Sequence, residues 1–137
     1  MNENRIRDKI TEIEKFLEEL NSALPKNFYS YKNDFKLKAI GERYFEKIVE
    51  AISDLSFLII KEKNLKQPEE EEKVFEILKN NEIISDDLAR KFKEAKGMRN
   101  ILSHQYGNID DELVFDSIKN ELTSDPQQFI KNIKKIL

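Results

Sequence analysis

Histidine is the only side chain whose unperturbed pKa lets it give or take a proton near neutral pH. This chain has one, His104, inside the stretch RNILSHQY that runs from Arg99 to Tyr106. Arg99 adds a planar fork of donors suited to anionic oxygens. Asn100 adds an amide and Tyr106 a phenol. These types suffice for acid–base chemistry beside a bound anion. They also fit a plainer role: a histidine in a last helical turn interacts with the carbonyl dipole, and an arginine can snorkel or pair across a bundle. The chain contains no cysteine, which excludes disulfides, thiolate nucleophiles and thiolate zinc sites. One histidine cannot build a multi-histidine metal centre. No phosphate-binding glycine loop, dinucleotide fingerprint or paired-histidine zinc motif occurs. Neither metal nor cofactor is expected.

The spacing around the motif separates its members. On an ideal helix of 100° per residue, Leu88, Phe92, Ala95, Leu102 and Tyr106 fall within about 80° of one another. Arg99 lies in the middle of that apolar stripe, where a cation is costly unless it is paired or faces a wet cleft. His104 sits about 140° away on the same wheel. A straight helix therefore does not put Arg99 and His104 on one face. Either the helix distorts before Gly107, or a cleft receives the two from different sides, as a symmetric dimer could arrange.

The elements that must position these residues are helical. With 137 residues, 37% charged and 39% hydrophobic, and only three glycines and three prolines, the chain is expected to form one domain over residues 1–137. Ile6, Ile10, Ile13, Phe16, Leu17 and Leu20 mark an amphipathic first helix, which Pro25 ends. PKNFYSYKNDF reads as a connector or a poorly formed helix start. The longest pattern runs from about Asp34 to Leu65, with a stripe wide enough to be buried on more than one side. A short helix follows, with Pro68 near its start and Glu69 to Glu72 in its first turn, where the dipole favours anions; it ends at the paired asparagines. Ser85 is an N-cap for the motif helix, and Gly107 suits its C-terminal end. NIDDELVFDSIKNEL and QQFIKNIKKIL complete five to six helices in an all-α antiparallel bundle.

Glu42, Glu46, Glu50 and Asp54 recur every four residues on the long helix. They read either as partners for Arg99 or His104 or as a solvated face; Glu42 and Glu46 favour the solvated face, while Glu50 and Asp54, beside the apolar stripe, stay open. Arg90, Lys91, Lys93, Lys96 and Arg99 form a cationic run that points several ways, so it offers two or three phosphate contacts or a solubilising surface. The net charge of −3 argues against a long sequence-blind grip on nucleic acid. Aromatics are not interleaved with basic residues as on a single-strand stacking platform. No apolar run reaches the ~20 residues that span a bilayer, and the N-terminus shows no secretory h-region. A cytoplasmic protein without membrane contact is expected.

Arg99, four residues, His104, one residue and Tyr106 resembles the R-x4-H-x-Y signature of HEPN-domain toxins of the HepT type. GMRNILSHQYGNID is similar to the core of that family, ERYFEKIVEAISDL to its long second helix, and NLKQPEEEEKVFEIL to its loop, proline and short helix. The resemblance covers about Leu37 to Phe115. It implies a helical homodimer whose two motifs meet in a shared cleft and act as a metal-independent endoribonuclease. It implies an RNA substrate and a nucleotidyltransferase antitoxin of the MntA type as partner. Carried over, Arg99 and His104 are catalytic, Asn100 supports them, and Tyr106 accepts AMP from the antitoxin. An alternative from a different class is a non-catalytic regulatory or substrate-binding subunit of a nucleotidyltransferase, with the motif as docking surface and AMP acceptor.

Overall fold

The computed structural model describes residues 2–104 and 109–137. Its first helix, α1 (Asn2–Ala23), buries Ile6, Ile10, Ile13, Leu17 and Leu20 on one stripe. Each fully buried aliphatic side chain of this kind contributes about 1.5–3 kcal/mol. The stripe packs on α3 (Phe35–Glu62), the central helix, which buries residues on two sides from Phe45 to Ile60. The two helices run antiparallel, since Lys9 meets Asp54 at 3.7 Å and the Tyr44 hydroxyl meets Glu19 at 3.1 Å. Asp34 starts α3, its carboxylate accepting from the backbone N–H groups of Lys36 and Leu37.

Between α1 and α3 the aromatic stretch forms a helix of its own, α2 (Phe28–Lys32), capped by Asn27. Of the two readings its composition allows, connector or poorly formed helix start, the structure takes the helix, short but capped, because Phe28 and Tyr31 anchor it. The Tyr31 ring is fully buried, 5.0 Å from Phe115 and 6.5 Å from Phe28, centroid to centroid. It lies over Gly41, where a Cβ would come within 2.9 Å of the phenol. A glycine there lets α2 close onto α3.

After α3, a 3-10 turn (Glu71–Lys73) leads into α4 (Val74–Asn80). The α-helix therefore begins later than Pro68 and the glutamates suggest. The acidic run has nothing apolar to bury until Val74, Phe75 and Leu78 reach the core. The motif helix α5 (Asp86–His104) starts with the Ser85 hydroxyl accepting from Leu88 N–H at 3.0 Å. Helix α6 (Asp111–Ser117), capped by Asp110, widens into a π turn (Ile118–Leu122) before α7 (Asp125–Ile136). The sequence pattern leaves α2 open between a connector and a poorly formed helix start, and it reads α6 with its π turn as one helix. The resulting all-helical bundle holds one continuous apolar core. Among the described residues, no helix is long and apolar enough to cross a membrane.

Candidate active site

Helix α5 runs antiparallel to α3, and the facing edges of the two helices are polar. Three rungs cross the seam. Lys96 Nζ lies 3.4 Å from the Ser53 hydroxyl, Arg99 Nη2 lies 3.4 Å from Glu50 Oε2, and the Ser103 hydroxyl donates to Glu46 Oε2 at 2.9 Å. The spacing explains the register. Positions 96, 99 and 103 share one edge of α5, and positions 53, 50 and 46 share one edge of α3. Lys96 is buried and also bonds Glu71 at 2.7 Å, which ties the 3-10 turn to the motif helix.

Arg99 occupies the middle rung. Its side chain is 31% exposed, so it is neither sunk in the core nor free in solvent. One fork nitrogen reaches Glu50, and the other donates to Asn100 Oδ1 at 3.3 Å. The Nε is buried and has no hydrogen-bond partner among the described residues. Both fork contacts are long for charge-assisted bonds, so the guanidinium retains capacity for an anion. Asn100 thus stands beside Arg99 and accepts from its fork.

His104 is the last residue of α5 and is exposed. The helix stays regular to that point, so no distortion before His104 brings it round to Arg99. Arg99 faces α3 while His104 faces outward. Tyr106 and Gly107 lie outside the described residues. The exposed face around His104 includes Ile101, 48% exposed, and Gly97, where an added Cβ would meet nothing within 4 Å.

The carboxylate row divides in an unexpected way. Glu50 pairs with Arg99, but Asp54 pairs with Lys9 of α1 and serves the bundle. Glu46 is not part of a simply solvated face, since it holds the turn that carries His104. Glu42 is not so either: burial, then the nearby Asp111 charge, raises its pKa above the usual glutamate range. Asp111 itself meets Lys38 at 3.2 Å. The cationic run is mostly spent. Arg90 pairs with Asp87 and Glu94, Lys91 with Asp87 and Asp125, and Lys96 is the buried rung. Sequence reasoning placed Lys96 in the cationic run but not on the seam, and it missed Ser103 and the Glu71 contact. The signal for Lys96 and Ser103 was present, since both lie three or four residues from Arg99.

An all-helical bundle here holds a partly satisfied arginine one turn before an exposed histidine, side chains with the chemistry to receive an anion. Residues 6–135 match the Ribonuclease HepT-like family, and the chain belongs to it. A candidate RNase of Archaeoglobus fulgidus is 32% identical over 89 residues, 65% of this chain and 66% of that one. The mRNA nuclease HepT of Shewanella oneidensis is 29% identical over 104 residues, 76% of this chain and 77% of that one. Among solved structures, the tri-AMPylated Shewanella oneidensis HEPN toxin in complex with MNT antitoxin superimposes with a TM-score of 0.87 at 26% identity, covering 95% of this chain and 96% of that one.

Proposed function

We propose that this chain, acting as one domain over residues 1–137, is the endoribonuclease toxin of a toxin–antitoxin pair, metal-independent and cytoplasmic. The observation that carries the reading is the state of Arg99. Its guanidinium sits on the α3–α5 seam, holds only long contacts to Glu50 and Asn100, and keeps a buried Nε unpaired among the described residues. A phosphate would complete it. Family membership and the nuclease relatives support RNA as the source of that phosphate.

The chemistry uses the RNA's own 2′-hydroxyl. A base removes its proton, the oxygen attacks the adjacent phosphorus, and the 5′-oxygen leaves with a proton from an acid. The products are a 2′,3′-cyclic phosphate and a 5′-hydroxyl. Arg99 stabilises the charge that builds on the phosphorane oxygens, and Asn100 supports its fork. His104 is the base of one protomer and the acid of the other. One chain supplies one histidine, and the two-fold axis of a homodimer supplies the second. The outward direction of His104, away from the Arg99–Glu50 rung, suits a cleft closed by a second copy.

A nucleotidyltransferase antitoxin is the cognate partner, and Tyr106 is the residue that receives AMP. On an ideal helical wheel Tyr106 falls on the Arg99 side, so the added phosphate would bring negative charge and bulk to that side and block RNA. The decisive test is cleavage of defined RNAs with mapping of product ends. Cleavage to 2′,3′-cyclic phosphates, lost in Arg99→Ala and His104→Ala, is expected. Intact RNA together with AMP transfer to the protein would instead favour a non-catalytic subunit. A mixed dimer with one His104→Ala protomer is expected to lose activity; full activity would remove the two-histidine mechanism. AMP transfer to Tyr106→Phe would reject the acceptor assignment.

A further inference from the structure

We propose that the α2–α3 corner is a stacking platform for single-stranded RNA, gripping nucleotides that flank the bond cut at Arg99 and His104. The proposal rests on the ribonuclease reading of the same molecule. Two large aromatic rings stand out in solvent at this corner: Tyr29 is 77% exposed and Phe35 is 76% exposed. Neither is exposed for want of a core. Phe28 and Tyr31, their neighbours in the sequence, anchor α2 inward against Phe115, and α3 begins at Phe35 behind the Asp34 cap. The anchoring holds Tyr29 outward on a fixed element.

Charge identifies the occupant. Residues 26–38 carry four lysines against one aspartate, a net +3 in a chain whose total is −3. Lys26, Lys32 and Lys36 are exposed and make no ion pair among the described residues. The Asp34 carboxylate is turned to the backbone N–H groups it caps. Exposed rings set among unpaired lysines are what a sequence-tolerant single-strand grip requires, with bases on the rings and phosphates on the ammonium groups. The linear sequence hides this, because Phe28 and Tyr31 look like equal members of the aromatic run until burial separates them from Tyr29 and Phe35.

The corner is in register with the site. Phe35 and Glu46 are eleven residues apart on α3, nearly the same angle on the wheel and about 16 Å along the axis. Glu46 holds Ser103, the residue before His104. A strand of a few nucleotides spans that distance along one face. The carboxylates between the two ends, Glu42 and Glu46, leave the middle of the path without a cation, so the grip falls at its ends.

The test measures the affinity of a fluorescent single-stranded RNA for the otherwise full-length His104→Ala protein, across salt. Tyr29→Ala and Phe35→Ala are each expected to weaken binding about tenfold without changing the salt slope. Lys32→Gln and Lys36→Gln are each expected to reduce the magnitude of the log–log salt slope by about 0.7. In the active protein, Tyr29→Ala with Phe35→Ala should raise KM for a long RNA and leave kcat and the cleavage of a dinucleotide unchanged. Unchanged RNA affinity in these variants, with cleavage by the parent intact, overturns the platform and leaves the ribonuclease reading standing. An altered oligomeric state, or lost capture of the nucleotidyltransferase, without an RNA effect also overturns it and makes the corner a protein interface. A parent protein that neither binds nor cuts RNA removes both readings.

Discussion

Replacing Arg99 with leucine is expected to stabilise the fold while abolishing cleavage. The guanidinium sits on the seam between α3 and α5, with a buried Nε that lacks a partner among the described residues. An orphaned buried donor costs about 1–3 kcal/mol. The compensating pair with Glu50 is long, at 3.4 Å, and the two side chains are 31% and 58% exposed, which limits it to about 0–1 kcal/mol. The bond to Asn100 is solvent-facing and adds less. Leucine removes the orphan, loses the pair and buries part of an apolar side chain, so the balance favours it by roughly 1 kcal/mol. For 137 residues the unfolding entropy near 60 °C is about 290 cal/mol/K, so that gain raises Tm by about 3–4 °C. Thermal denaturation at fixed protein concentration, compared with the parent, measures it alongside RNA cleavage; the concentration matters because a dimer's Tm depends on it. A Tm that falls by 3 °C or more would refute the reasoning, because Arg99 would then be a structural ion-pair residue rather than one held in strain for an anion.

Ser103→Ala removes the hydrogen bond to Glu46 and is expected to cost about 1 kcal/mol; its kcat for cleavage should fall severalfold, with RNA affinity measured in the His104→Ala background unchanged. Glu42→Gln should flatten the pH dependence of stability on the acid side of neutrality. Burial raises this carboxyl's pKa in the fold, so the folded state binds more protons and stability falls as pH rises above the usual glutamate range; urea titrations at several pH values should show that fall shrink in the variant. Gly41→Ala is expected to destabilise by about 1–3 kcal/mol, despite alanine's better helix propensity. Its Cβ would press within 2.9 Å of a fully buried Tyr31 ring, and a denaturant midpoint equal to the parent's would show that the ring has room to yield.

Periodicity alone carried the helices that bury a continuous stripe. The isoleucines of α1 and the wide apolar face of α3 announce themselves at three- and four-residue spacing, because burial of a helix face imposes that period. The motif helix and its Ser85 cap were legible for the same reason, and so was the anomaly of Arg99 on an apolar stripe. Composition excluded thiolate chemistry, and the order of Arg99, Asn100, His104 and Tyr106 brought the family into view. Local patterns fail where a short element is held by distant contacts. Helix α2 exists because Phe115, more than eighty residues away, receives Phe28 and Tyr31, and the helix after Pro68 starts late because its first apolar residues come late. The fates of Glu42, Glu46, Glu50 and Asp54 show the limit most clearly. Four carboxylates at one spacing differ in sequence only by their distance from the apolar stripe, yet one meets Arg99, one holds Ser103, one joins Lys9 and one lies near Asp111. Which cation or hydroxyl a carboxylate meets depends on the helix packed against it, and only the tertiary structure supplies that partner.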